Sequence, residues 1–118
     1  LTGYAQALSK RNHYHREWDQ FQRRHPIVMT PMMTTPPYKA GAEMESVEAV
    51  ELILDSCSSM SAMNYLDSPS MSVPTQSRGL GVPIGVQLIG PRYGEQHVLA
   101  AAQAVEVRCG SPVEELLQ

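Results

Sequence analysis

The sequence is poor in large apolar side chains: it has one tryptophan, Trp18, and one phenylalanine, Phe21, among 118 residues. Much of its hydrophobic fraction is alanine and methionine, which bury little surface or specify packing loosely, so a self-sufficient core is hard to build. It also lacks an excess of positive charge. The formal net charge is -3 with both signs scattered along the chain, which gives no electrostatic reason for nucleic acid or an anionic membrane as partner. The nearest thing to a basic cluster, Arg23, Arg24 and His25, closes an expected helix, where cations oppose the negative end of the backbone dipole. Cysteine is scarce too: Cys57 and Cys109 are far apart and match no C-x-x-C or zinc pattern, so they point to no metal site; no cofactor is expected either. No run approaches the roughly 18 apolar residues of a membrane span, and the amphipathic, basic start is not a signal peptide, which makes a cytoplasmic setting the expectation. The sequence opens at Leu1 within a pattern already under way, which suggests an incomplete domain over 1-118.

What is present alternates helical and extended signals, the mark of an α/β chain. Tyr4, Leu8, Tyr14, Trp18 and Phe21 recur at helical spacing and predict an amphipathic helix over 4-24, stopped by Pro26. Ile27-Val28-Met29 reads as a buried strand ended by Thr30-Pro31, and residues 31-43, with Pro36-Pro37, as a loop. A second helix is expected over 44-58, with Val47, Val50, Leu54 and Cys57 as its apolar stripe. A strand pair follows over 70-90: Met71-Ser72-Val73, ended by Pro74, a turn through Gly79 and Gly81, then Ile84 to Gly90. In the last run Ile84, Val86 and Leu88 share one face and Gly85, Gln87 and Ile89 the other, which suits a strand inside a sheet. A third helix is expected over 95-107, and Ser111-Pro112-Val113-Glu114 has the pattern of a capped helix start. About three helices and three or four strands result.

The chemistry-bearing residues form no catalytic constellation. Lys10 and Lys39 are the two lysines, one on the amphipathic helix and one in the proline-rich loop, both read as solvated. Ser68, Ser70 and Ser72 cluster near a strand without a G-x-S-x-G elbow. His13 and His15 are two apart, so they do not share a helical face, although His13 and Glu17 have i, i+4 spacing. His25 and His97 are explained by helix ends. The better candidates are binding residues. The loop after Thr30-Pro31 leaves the end of a strand, where sites on helix-covered sheets commonly form, so Met32, Met33 and Tyr38 are expected to line a substrate pocket. Asn64, with Met63 and Tyr65 beside it, is a weaker candidate on the same argument.

From Asn64 onward the sequence resembles a known family. The run Pro69-Ser70-Met71-Ser72-Val73-Pro74, then Gly79-Leu80-Gly81-Val82-Pro83-Ile84-Gly85-Val86-Gln87-Leu88-Ile89-Gly90-Pro91, then Glu95 and Leu99-Ala100-Ala101-Ala102, is similar to the C-terminal segment of the amidase signature family. Upstream, the Trp18-Phe21 helix, Thr30-Pro31 and Pro36-Pro37 follow the element order of that family. The resemblance implies part of a mixed sheet covered by helices, in an enzyme that hydrolyses carboxamides with a Ser-Ser-Lys triad and a Gly/Ser-rich oxyanion loop. None of that loop is in these residues, so the catalytic residues expected here are none. The implied partners are a small-molecule amide substrate and a missing N-terminal part or another copy of the chain. The alternatives are an accessory module of the same shape, or part of the A component of a glutamyl-tRNA amidotransferase. Asp67 stands where many family members carry Gly, at a position where a tight turn is expected.

Overall fold

The computed structural model describes residues 2–75 and 84–110. Helix α1 spans Thr2–Gln22, strand β1 Val28–Pro31, a single 3-10 turn Ala42–Met44, α2 Val47–Ser56, α3 Ser58–Tyr65, β2 Ser70–Thr75, β3 Ile84–Ile89 and α4 Glu95–Cys109. This is a mixed α/β arrangement of four helices and three strands among the described residues. The expected glycine turn at Gly79 and Gly81 and the expected helix start at Ser111 lie outside them.

The strands form one antiparallel sheet in the order β1-β3-β2, so Ile84 to Ile89 is its interior strand. Residues directly opposite each other share a face. Val86 faces Val73 and Leu88 faces both Met71 and Met29, which collects the apolar side chains on one surface. Helix α4 lies across that surface, and Val98 and Ala102 close the core with Val73 and Leu88. Its close approach depends on Gly90: a Cβ there would lie 2.4 Å from Val98 Cγ2. On the opposite face, Gln87 is buried beside Ser72 and Thr30, whose hydroxyl donates to Gln87 Oε1 at 3.3 Å. Leu88 and Ile89 are fully buried, each stabilising the fold by about 1.5–3 kcal/mol relative to exposure.

Several elements differ from the sequence reading, each for a local reason. Pro74 lies within β2, paired with Gly85, and does not end the strand. On an edge strand an amide that points away from the sheet is dispensable, which is what proline requires. Likewise β1 runs through Thr30 and Pro31, and as an edge strand it alternates: Val28 and Thr30 are half-buried while Met29 is 55% exposed. Helix α2 begins at Val47, because the Ser46 hydroxyl accepts from the Ala49 amide at 3.1 Å and caps it. It stops at Ser56, Cys57 leaves helical geometry, and the serine-rich segment that follows is itself helical as α3. Val47 and Leu54, expected on a buried stripe, are exposed.

The largest departure is α1. Its expected apolar stripe is largely exposed at Tyr4, Leu8, Tyr14 and Phe21, while the residues it buries are His15 and Gln22. The face it presents to the rest of the molecule carries Arg11, His15 and Trp18, each bonded to a turn of the chain. The radius of gyration is 17.1 Å, against about 13 Å for a compact chain of this size, and the shortest axis is 18 Å. The molecule is a thin, open slab.

Candidate functional site

The loop that follows β1 is tied to the junction of α2 and α3. The Thr34 amide donates to the Ser56 carbonyl at 3.1 Å, and the Ser59 hydroxyl donates to the Pro31 carbonyl at 3.3 Å. Tyr38 is half-buried; its hydroxyl accepts from Thr35 Oγ1 at 2.8 Å and donates to the Leu52 carbonyl at 3.5 Å. Met32 and Met33 are half-buried between those anchors. The three residues thus share one anchored loop at the end of β1. Asn64 does not join them: it is exposed near the far end of α3, about 7.5 Å along the axis from Ser59 at 1.5 Å per residue.

A second region was not anticipated from sequence. Arg11 of α1 donates from Nε to the Tyr65 carbonyl at 2.7 Å and from Nη2 to Asp67 Oδ2 at 2.5 Å, with its guanidinium 5.6 Å from the Tyr65 ring centre. His15, one helical turn on, has Nε2 3.8 Å from the same carboxylate oxygen, and its Nδ1 meets the Arg92 guanidinium. One turn further, Trp18 Nε1 donates to Ser68 Oγ at 2.8 Å. Burial, helped by the nearby Arg92 and Arg11, lowers the His15 pKa below its ordinary value, against a smaller upward pull from Asp67 and Asp19. Asp67 itself has φ 49, in the left-handed region. The tight turn expected there is therefore made without glycine, by a residue type that tolerates this conformation.

Two concavities flank this cluster. Tyr14, Trp18 and Phe21 of α1, with Tyr65 and Leu66, line an apolar groove of about 490 Å³, in which Trp18 and Phe21 stack at 5.4 Å between ring centres. Asp67, Ser68, Arg92, Tyr93 and Glu95 line a more polar one of about 390 Å³. Neither is lined by Met32, Met33, Tyr38 or Asn64. The spacing of Arg11, His15 and Trp18 could have signalled one helical face, but the partners lie fifty or more residues away and leave no local trace. Lys10 and Lys39 are both exposed. Among the described residues, no three His, Cys, Asp or Glu side chains converge as metal ligands would, and no helix is long and apolar enough to cross a membrane.

The model of the Amidase family matches residues 2–99, which takes in every element described except the last turns of α4. The chain belongs to the Amidase family. Among its relatives, an indoleacetamide hydrolase of Bradyrhizobium japonicum is 36% identical over 111 residues, covering 93% of this chain and 24% of that protein. The A component of the glutamyl-tRNA(Gln) amidotransferase of Halobacterium salinarum is 33% identical over 103 residues, covering 87% of this chain and 23% of that protein. The chain thus spans about a quarter of the length of the curated amidase relatives it matches.

Proposed function

We propose that this chain is the C-terminal part of an amidase that hydrolyses carboxamides to a carboxylic acid and ammonia or an amine. Its contribution is to complete the sheet and to form one wall of the substrate pocket, while a Ser-Ser-Lys triad elsewhere in the parent protein does the bond-breaking. The observation that carries the reading is the family match over residues 2–99 together with 36% identity to an indoleacetamide hydrolase. Such a relative favours a small carboxamide as substrate. The pocket-wall role rests on Met32, Met33 and Tyr38 standing on one loop anchored at the end of a strand. Two flexible thioethers there would adapt to acyl or aryl groups of different size.

The test is a pair of measurements. In the complete enzyme, Met33→Ala should alter kcat/KM among amides of graded acyl size, by about 10-fold or more between the extremes, with little loss of thermal stability. An equal loss for all substrates with a large fall in Tm assigns Met33 to the core, where truncation costs about 2–5 kcal/mol. The 118-residue chain alone should not turn over an aryl amide, since an enzymatic barrier reduction of about 8 kcal/mol or more needs nucleophile, base and oxyanion donors. Turnover that survives replacement of both Lys10 and Lys39 would overturn the assignment of the chemistry to the rest of the parent.

A further inference from the structure

The side chains that hold α1 in place are polar, and the most buried of them is titratable. Arginine has only donors, so in its contact with Arg92 the Nδ1 of His15 must be the acceptor. A hydrogen bond there requires the neutral imidazole with its proton on Nε2, the nitrogen that faces Asp67 Oδ2 at 3.8 Å. A second proton can enter only at Nδ1. It would remove the lone pair that Arg92 uses and set two cations against each other in a site where His15 is 8% exposed. Asp67 offers limited compensation, because the same oxygen is already held by Arg11 at 2.5 Å. The charged groups around the ring are Arg92 from the turn between β3 and α4, Asp67 from the turn between α3 and β2, and Arg11 and Asp19 from α1 itself.

We propose that the His15–Arg92 contact is an acid-sensitive latch: protonating His15 releases α1 from the turn that leads into α4. The latch joins two turns remote in sequence through one helix, so its opening loosens the wall of the aromatic groove that α1 shares with Tyr65 and Leu66. Nothing in this depends on amidase chemistry, and it is read without a substrate. A histidine whose folded pKa lies below 6.5 contributes stability that is complete above 6.5 and is lost as pH falls through the folded value.

Trp18 reports the event, because it is the one tryptophan and its Nε1–H bonds Ser68 on the same face of α1. In the full chain, the His15 ring resonances should titrate with a midpoint below 6.5, and Trp18 emission should shift with that same midpoint between about pH 8 and about pH 5. Arg92→Leu should move the His15 midpoint upward. His15→Asn, whose side-chain carbonyl takes the place of Nδ1 as acceptor, should keep the Trp18 emission in its high-pH form throughout. A His15 midpoint at or above 6.5 in the unmodified chain, or a Trp18 emission that does not move through it, would overturn the latch. So would a Trp18 transition that persists in His15→Asn. The co-titration of His15 and Trp18 is read on the unmodified chain and needs no variant to fold.

Discussion

Asp67 shows how one residue can serve backbone and side chain together. Its φ of 49 is a conformation that costs most L residues roughly 1–2 kcal/mol and that Gly, Asn and Asp visit at least cost. Glycine would make the turn but would leave Arg11 without a carboxylate, whereas this chain uses the turn to deliver a charge to Arg11 and His15. The two contributions separate by substitution. Asp67→Asn should keep the turn and weaken the ion pair; because that pair is partly exposed, its loss should cost no more than about 1 kcal/mol. Asp67→Ala should lose both and be less stable than Asp67→Asn by roughly a further 1 kcal/mol, measured by urea unfolding. Equal midpoints for the two variants would mean that the backbone conformation carries no cost here. Of this site, the sequence made the turn position legible through the glycine it departs from. It did not show the charge cluster, since Arg11, Asp67 and Arg92 are brought together only by tertiary structure.

At the scale of elements, the strands were the most legible, because period-two alternation in β3 specifies both its faces and its central place. The paired strands 70-75 and 84-89 and helix α4 sit close to where periodicity puts them. Helix α1 was legible as a helix and illegible in its orientation: an apolar stripe identifies a face, and only tertiary contacts decide whether that face is buried. What stayed hidden was α3: Ser58, Ser59 and Ser61 are modest helix formers and disguise a segment that Met60, Ala62 and Met63 carry as a helix. The packing of α4 on the sheet yields a prediction at this scale. Gly90→Ala places a methyl against Val98 Cγ2, and Val98 is 3% exposed with nowhere to move, so overpacking should cost about 1–3 kcal/mol. Val98→Ala opens the space that the new methyl needs. In the double variant the two losses should therefore be less than additive by more than about 0.5 kcal/mol, and strict additivity would show that Gly90 and Val98 do not meet.

At the scale of the whole molecule, the thin slab and the exposed residues of α1 occur together. The chain spans about a quarter of an amidase relative's length and carries a three-strand sheet with one helix across one face and a helix, α1, that leaves Tyr4, Tyr14 and Phe21 exposed. Among the described residues neither outer strand has a strand partner on its outer edge, and each contains one proline, Pro31 in β1 and Pro74 in β2, which removes an amide donor from that edge. The stretch Ser70 to Val73 has no such guard and carries Met71, 39% exposed, beside the apolar face. By itself the 118-residue chain should therefore self-associate, through a contact larger than the roughly 800 Å² typical of lattice packing. Sedimentation velocity over a concentration series should show mass rising above the 13.0 kDa monomer. Met71→Lys, which puts a charge on that edge, should shift the distribution toward monomer, because burying an unpaired ammonium in a new strand pair is costly. A chain that stays monomeric at every concentration, with its β2 amides protected from hydrogen exchange, would mean that the edge is already covered and that these residues suffice as an independent unit.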